Sequence, residues 1–292
     1  MRSAEIASPT LKRCGESFFA MFNTINLAKD LDETWAAIHA AYLEHKVLCI
    51  SGQELSAKQF HNLGERFGSI EPHTVTMYHH NEFSGITVLS NRTELGRPKG
   101  IRDAGSHWHS DYSYKLVPAN VTLLYAIEIP EVGGDTLFID LAAAYKALPD
   151  VTKRRLKGLK AVHHYRHTTD RDHPESRWKL LNEDQRRATP KVIHPIVRTH
   201  PETGVKSIFV FPGLTSGVRH IIGMEEPESD DLLALLFEHC TQDRFKYRHK
   251  WSTGDLLLWD NRCTMHHATT DALPANRYRT IFRINTRGTV PF

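Results

Sequence analysis

Cysteine is scarce in this chain, and its spacing excludes a disulfide-stapled protein. The 292 residues contain four cysteines, Cys14, Cys49, Cys240 and Cys263, and none of them forms a C-x-x-C pair. Such wide spacing argues against a disulfide framework and fits a reducing cytosol. We therefore expect the cysteines to be free thiols.

Long apolar runs are also missing. No run approaches the roughly 20 residues that a membrane-spanning helix requires. The segment Met1–Arg13 contains no apolar core of signal-peptide length. We therefore expect a cytoplasmic protein that has no membrane partner.

Neither sign of charge is in large excess. The chain has 37 Lys and Arg residues against 34 Asp and Glu residues, and the formal net charge is +3. The basic residues are scattered rather than arranged in a stripe, which argues against binding to a nucleic-acid backbone. Internal repeats and low-complexity tracts are absent as well.

Short strand-like segments dominate what is present. The predicted strands are Val47–Ile50, Ile86–Leu89, Val121–Tyr125, Thr136–Ile139, Val192–Val197, Ser207–Phe211, Phe245–His249, Leu256–Trp259 and Arg279–Thr286. One predicted helix begins near Asp30. The other predicted helices cover Ser56–Phe67, Leu141–Leu148, Val151–Leu159 and Asp230–His239. With 40% hydrophobic residues, the chain can bury a large core. The pattern predicts a mainly β fold with decorating helices (α+β), a barrel or jelly roll, in one domain over residues 1–292.

Three polar stretches interrupt this pattern. The stretch Asn91–Gly105 is long, and loops of that length in a compact domain are often lids or binding loops. Residues 163–190 are polar and irregular, which predicts an insertion. The stretch Pro72–Phe83 contains His73, Tyr78, His79 and His80. It is either a solvated loop or part of a binding pocket.

One His-x-acid motif stands apart from the others. The pattern occurs four times, at His80, His109, His173 and His200. Two copies have proline in the middle, which is unfavourable inside a paired strand, and the copy at His80 lies in a turn-like patch. In a strand, His109 and Asp111 would point to the same side. A distant second histidine would complete a two-His, one-carboxylate face that suits Fe(II).

A second group of candidates lies near the C-terminus. The apolar run Gly254–Trp259 continues through Asp260-Asn261-Arg262 and delivers His266 and His267. Further on, alternation along Arg279–Thr286 places Arg279 and Arg283 on one face of a strand. Two buried guanidinium groups are costly unless anions meet them. The segment is therefore either an exposed strand with solvated arginines or a clamp for a dicarboxylate.

These motifs together resemble the TauD/TfdA family of Fe(II)- and 2-oxoglutarate-dependent dioxygenases. The likeness extends from about Leu31 to near the C-terminus. Four segments carry it, in the order and near-spacing of the family: Trp108–Asp111, Gly133–Thr136, Thr199–Gly204 and Trp259–His266. The resemblance implies a double-stranded β-helix, that is, a jelly roll.

The resemblance also implies roles for single residues. Iron would be held by His109, Asp111 and His266, with His267 as the competing candidate. Thr136 and Arg279 would hold 2-oxoglutarate. Arg283 would lie near the keto-acid end and the substrate anion. His73 and Tyr78 fall where such enzymes receive the substrate head group.

The implied reaction consumes 2-oxoglutarate and O2, releases succinate and CO2, and hydroxylates an unactivated C–H bond. We expect a small anionic substrate, a carboxylate, sulfonate or phosphonate, and a homo-oligomer, either a dimer or a tetramer. Asp111 favours hydroxylation or desaturation over halogenation, because related halogenases lack this carboxylate. The alternatives are desaturation or isonitrile-type oxidation of an amino-acid or fatty-acid derivative, suggested by Met77–His80, a non-catalytic sensor of metal and 2-oxoglutarate, and a zinc hydrolase.

Overall fold

A computed structural model describes residues 10–13, 18–102, 104–165, 183–211, 216–270, 273–274 and 276–292. The early strands are β1 Leu11–Arg13, β2 Phe19–Phe22, β3 Val47–Ile50, β4 Thr87–Ser90, β5 Thr93–Glu94, β6 Arg97–Pro98, β7 Ala119–Glu128 and β8 Thr136–Asp140. The later strands are β9 Lys160–Tyr165, β10 Val192–Pro195, β11 Val197–Thr199, β12 Lys206–Ile208, β13 Ser216–Ile221, β14 Lys246–His249, β15 Leu256–Asp260, β16 Thr264–Ala268 and β17 Thr280–Arg287. The helices are α1 Leu31–His45, α2 Ala57–Arg66, α3 Leu141–Ala147, α4 Asp150–Leu156, α5 Glu183–Arg187 and α6 Glu226–Cys240, with 3-10 turns at Thr76–Tyr78 and Asp243–Phe245. Among these residues, no helix is both long and apolar enough to span a bilayer.

Two sheets enclose the interior of the fold. The larger sheet has the strand order β1-β2-β3-β15-β7-β17-β4, and the smaller one has the order β14-β8-β16. Leu124, Leu257 and Ile281 of the larger sheet share one buried apolar cluster with Phe138 of the smaller sheet. The inner faces of the two sheets therefore pack against each other.

Helices cover the outer faces of both sheets. Ile38 of α1 and Phe60 of α2 pack in a cluster with Leu258 of β15. On the other side, α3 and α6 share a cluster with Ile139 and Met265 of the smaller sheet. Strands that are covered on both sides need apolar residues at consecutive positions. This explains the unbroken apolar run along β15.

Most predicted elements are present, and several differ in their limits. The α2 helix begins after Ser56, whose hydroxyl accepts from the Gln59 amide in a capping box. Helix α6 begins at Glu226 rather than Asp230, because a proline and acidic side chains occupy its first turn. The predicted strand Val192–Val197 is two strands in the structure, because β10 ends at Pro195 and β11 begins at Val197. The predicted strand Ser207–Phe211 ends early, at Ile208.

The two long polar stretches contain regular structure. Within Asn91–Gly105, β5 and β6 form a short antiparallel hairpin. Within 163–190, strand β9 continues to Tyr165 and helix α5 occupies Glu183–Arg187, so both ends of the predicted insertion contain regular structure. Residues 166–182 of this predicted insertion lie outside the described residues.

A buried histidine on β9 should make the stability of the fold sensitive to acid. The His163 ring is fully buried, and neither ring nitrogen has a hydrogen-bond partner among the described residues. Burial, reinforced by His194 and Arg198, lowers the pKa of His163 well below its ordinary value. The folded state therefore keeps this ring neutral, while the unfolded chain protonates it below about pH 6.5.

The free energy of unfolding should consequently fall as the pH drops below about 6.5. One such group accounts for at most about 1.4 kcal/mol per pH unit. Urea unfolding of the wild type and of His163→Phe at pH 7.5, 6.0 and 5.0 measures this contribution. The variant should lose less stability on acidification, and parallel curves for the two proteins would contradict the assignment.

Candidate metal and keto-acid site

A single backbone bridge brings the two distant histidine segments together. His109 lies outside the regular strands, but it pairs antiparallel with His266 of β16. The His109 amide donates to the His266 carbonyl at 3.1 Å, and the His266 amide donates to the His109 carbonyl at 2.9 Å. The centroids of the two imidazole rings are consequently 4.1 Å apart. The small sheet thus gains a short extension that carries His109 and Asp111.

The three predicted ligands converge on one point. Nε2 of His109 lies 3.7 Å from Oδ1 of Asp111, and Nε2 of His266 lies 3.8 Å from Oδ2. All three donor atoms lie within 4.8 Å of one another, and all three residues are buried. His267 points away from this group, because neighbours on a strand face opposite sides. Its ring instead packs edge-on against Trp108.

The donor chemistry of this triad fits a divalent transition metal. Nδ1 of His109 lies 2.8 Å from the His107 carbonyl, so Nδ1 carries the proton and Nε2 presents its lone pair to the site. Burial lowers the pKa of His266 well below its ordinary value and keeps the ring neutral. A neutral imidazole is the form that ligates metals.

Asp111 supplies the negative charge of the triad. Burial alone raises the pKa of Asp111, but the charge of Arg283 and the Thr122 hydrogen bond oppose this effect, and the pKa lies well below its ordinary value. The carboxylate is therefore ionised. Gly105 lets the motif pack this closely, because it adopts φ +77° and a Cβ there would lie 2.8 Å from Cε1 of His109.

Two buried arginines lie in this part of the larger sheet. Arg279 directly precedes β17, and Arg283 lies within it. Nη1 of Arg283 lies 4.0 Å from Oδ1 of Asp111, so this guanidinium faces the triad. Among the described residues, Nε and Nη2 of Arg283 and Nε of Arg279 are buried and have no hydrogen-bond partner. Burial lowers the pKa of Arg279 to about 10, although the negative charge of Asp135 acts to raise it. Arg279 is still charged at neutral pH, so both side chains are prepared to receive anions.

Thr136 and Arg279 meet at Trp251. Nε1 of Trp251 donates to Oγ1 of Thr136 at 3.0 Å, and the guanidinium of Arg279 lies 5.7 Å from the centre of the Trp251 ring. Gly134 completes this corner, because a Cβ there would approach Cδ of Arg279 to 3.0 Å. Sequence reasoning missed Trp251. Continuing the alternation of the predicted strand Phe245–His249 by two residues would have placed Trp251 on the face of His249.

The predicted substrate residues lie beside the aromatic residue that follows Asp111. The ring of His73 is 6.4 Å from the ring of Tyr112, and Tyr78 packs against the cluster that contains Tyr112 and Tyr114. Tyr112 is itself buried and has φ +56°. The sequence pattern did not mark Tyr112 as part of the site. A substrate-binding role for His73 and Tyr78 stays a prediction.

Comparison with known proteins gives a consistent result. The model of the family "Taurine catabolism dioxygenase TauD, TfdA family" matches residues 10–285. A 2,4-dichlorophenoxyacetate dioxygenase of a Burkholderia species is 35% identical over 245 residues, which cover 79% of this chain and 78% of that protein.

The chain belongs to the TauD/TfdA family. A Schizosaccharomyces pombe protein, named for alpha-ketoglutarate-dependent sulfonate dioxygenation, is 35% identical over 252 residues, 85% of this chain. This chain spans only 62% of the length of that relative. The crystal structure of AAD-2 with Mn(II) and N-oxalylglycine superposes with a TM-score of 0.79 at 27% identity and covers 97% of this chain and 98% of that one. The family assignment and the jelly-roll prediction are therefore confirmed.

In this TauD/TfdA member, two of the four motif segments support the site from outside. His200 Nε2 lies 2.8 Å from Oδ2 of Asp260, and the guanidinium of Arg262 donates to both oxygens of Asp260 at 2.8 and 2.7 Å. Nη1 of Arg262 also donates to Glu202 at 2.5 Å. These groups fix the turn between β15 and β16. His200 and Glu202 of the Thr199–Gly204 motif thus act on the strand that delivers His266.

Proposed function

We propose that this protein is an Fe(II)- and 2-oxoglutarate-dependent dioxygenase that hydroxylates an unactivated C–H bond of a small anionic substrate. Its metal ligands are His109, Asp111 and His266. The convergence of these three buried side chains is the observation that carries the proposal. When bound, iron and 2-oxoglutarate supply the oxidising chemistry: one atom of O2 enters succinate, the other enters the substrate, and CO2 is released.

Arg279 and Thr136 hold the distal carboxylate of 2-oxoglutarate. A charged, buried guanidinium gains a counter-ion and two-pronged hydrogen bonding when a carboxylate arrives. The Thr136 hydroxyl already accepts from Trp251, so its own proton can be donated to the same carboxylate. This arrangement fixes the orientation of the keto acid before reaction. Binding and orientation are the main contributions of a protein to the reaction of such a cosubstrate.

Arg283 receives the anionic end of the substrate or of the keto acid at the metal. Its guanidinium faces Asp111 and retains buried, unused donors. We assign substrate contacts to His73 and Tyr78, which lie beside Tyr112 and its cluster. The relatives named for sulfonates and for a phenoxyacetate support an anionic substrate, a carboxylate, sulfonate or phosphonate. A cytoplasmic location and a dimeric or tetrameric assembly stay predictions.

Anaerobic spectroscopy of adjacent histidine variants tests the proposal. Fe(II) plus 2-oxoglutarate should give a weak visible charge-transfer band with the wild type. His266→Ala should abolish the band because it removes a ligand, whereas His267→Ala should retain it because that ring packs on Trp108. The band would be lost in both variants, or in neither, if the triad did not hold the metal.

A screen of anionic compounds tests the substrate class. Succinate release with carboxylates, sulfonates and phosphonates should rise above the level without substrate for at least one class. Neutral analogues of the same size serve as the matched control. Equal succinate release from charged and neutral members of each pair would contradict the proposed role of Arg283.

A further inference from the structure

The carboxylate of Asp111 is held from behind by two side chains of the larger sheet. Oγ1 of Thr122 donates to Oδ2 of Asp111 at 2.6 Å, and Nδ2 of Asn285 donates to the same oxygen at 3.0 Å. Thr122 on β7 and Asn285 on β17 are direct partners in the strand register. Both residues are buried, at 0% and 2% exposure, so water does not compete for these bonds.

The direction of the Thr122 hydroxyl proton follows from its neighbours. Oγ1 of Thr122 accepts from Nδ2 of Asn261 at 2.8 Å and from Nδ2 of Asn285 at 2.7 Å. An amide nitrogen only donates, so the hydroxyl must direct its own proton to Asp111. The orientation of the Asn261 amide is fixed in turn, because its Oδ1 accepts from the Asp111 amide and from Nε1 of Trp259, each at 3.1 Å.

The two oxygens of Asp111 are therefore not equivalent. Oδ2 receives two hydrogen bonds from the sheet and lies 3.8 Å from Nε2 of His266, whereas Oδ1 lies 3.7 Å from Nε2 of His109 and faces the Arg283 guanidinium. Each oxygen therefore faces one histidine of the triad, and the two hydrogen bonds from the sheet fix the plane of the carboxylate between them.

We propose that Thr122 and Asn285 are positioning residues that orient the Asp111 carboxylate toward the two histidines for metal binding. This inference rests on the proposed function. The orientation matters because a ligand that is already fixed loses less conformational freedom when the metal binds.

Metal binding, rather than activity, is the direct test. Thr122→Val keeps the shape of the side chain but removes the donor, so the Mn(II) affinity measured by calorimetry should fall about 10- to 100-fold. Thr122→Ser retains the hydroxyl and should restore nearly the wild-type affinity. Asn285→Ala is an independent second variant, and it should weaken Mn(II) binding in the same direction.

The outcomes separate this inference from the proposed function. If Thr122→Val and Asn285→Ala both bind Mn(II) as tightly as the wild type, the positioning role is overturned. If Thr122→Ser binds as weakly as Thr122→Val, the hydroxyl is not the cause and the inference also fails. If the wild type binds Mn(II) no better than His266→Ala does, the proposed metal site itself fails. Thermal melts of the metal-free variants show whether a loss of affinity comes from unfolding.

Discussion

Arg279→Met should weaken the binding of 2-oxoglutarate by roughly 30-fold to several thousand-fold. Removing one partner of a buried, hydrogen-bonded charge pair costs about 2–5 kcal/mol, and each 1.4 kcal/mol is tenfold. The loss should appear as a higher dissociation constant for 2-oxoglutarate in anaerobic titration of the Fe(II) protein. Arg277→Met is the matched control, because Arg277 is close in sequence but its side chain is 48% exposed.

The same variant should behave differently when no keto acid is present. Nε of Arg279 is buried with no hydrogen-bond partner among the described residues, and burial lowers the pKa of this group to about 10. The folded chain therefore bears the cost of burying a charge, which methionine removes. We expect the metal-free variant to melt no lower than the wild type. A clear drop in melting temperature would show that Arg279 is a structural ion-pair partner instead of an anion receptor.

Arg262→Met should destabilise the fold by about 3–5 kcal/mol. Arg262 and Asp260 are 4% and 1% exposed, and the guanidinium bonds both carboxylate oxygens. Removing one member of a buried ion pair leaves the other charge uncompensated, which is the source of this cost. In a chain of this size the melting temperature should fall by roughly 6–20 °C.

An exposed ion pair offers the control for this experiment. Arg155 lies 3.0 Å from Glu228, with the two side chains 49% and 54% exposed. Arg155→Met should change the stability by less than about 1 kcal/mol, because solvent screens such pairs. If the Arg262 and Arg155 variants melted at the same temperature, the network around Asp260 would not stabilise the turn.

The proposed metal ligands could be predicted from the sequence only in part. Strand alternation predicts that His109 and Asp111 converge, and their side chains do converge, but Asp111 lies in a turn after the isolated bridge at His109 and not in a strand. Alternation does not decide between His266 and His267, because either parity is consistent with a half-buried strand. The resemblance to the family favoured His266. The bridge between His109 and His266 is a long-range pairing, which local patterns do not encode.

The hydrogen bond from Asn285 to Asp111 could not be predicted from the sequence. Asn285 continues the alternation of Arg279 and Arg283, yet nothing in its own segment marks it as a partner of Asp111. That contact depends on the register between β7 and β17, which the folded sheet sets. Strand limits failed for a simpler reason at Pro195, which has no amide hydrogen to donate and closes β10.

The bridge between His109 and His266 has a consequence for biosynthesis. During translation His109 and Asp111 leave the ribosome long before β16 and β17, which carry His266 and Asn285. A nascent chain therefore contains two of the proposed ligands before the third imidazole and strand β17 have been made. The proposed ferrous centre needs all three ligands, so it could form only after nearly the whole polypeptide has been made.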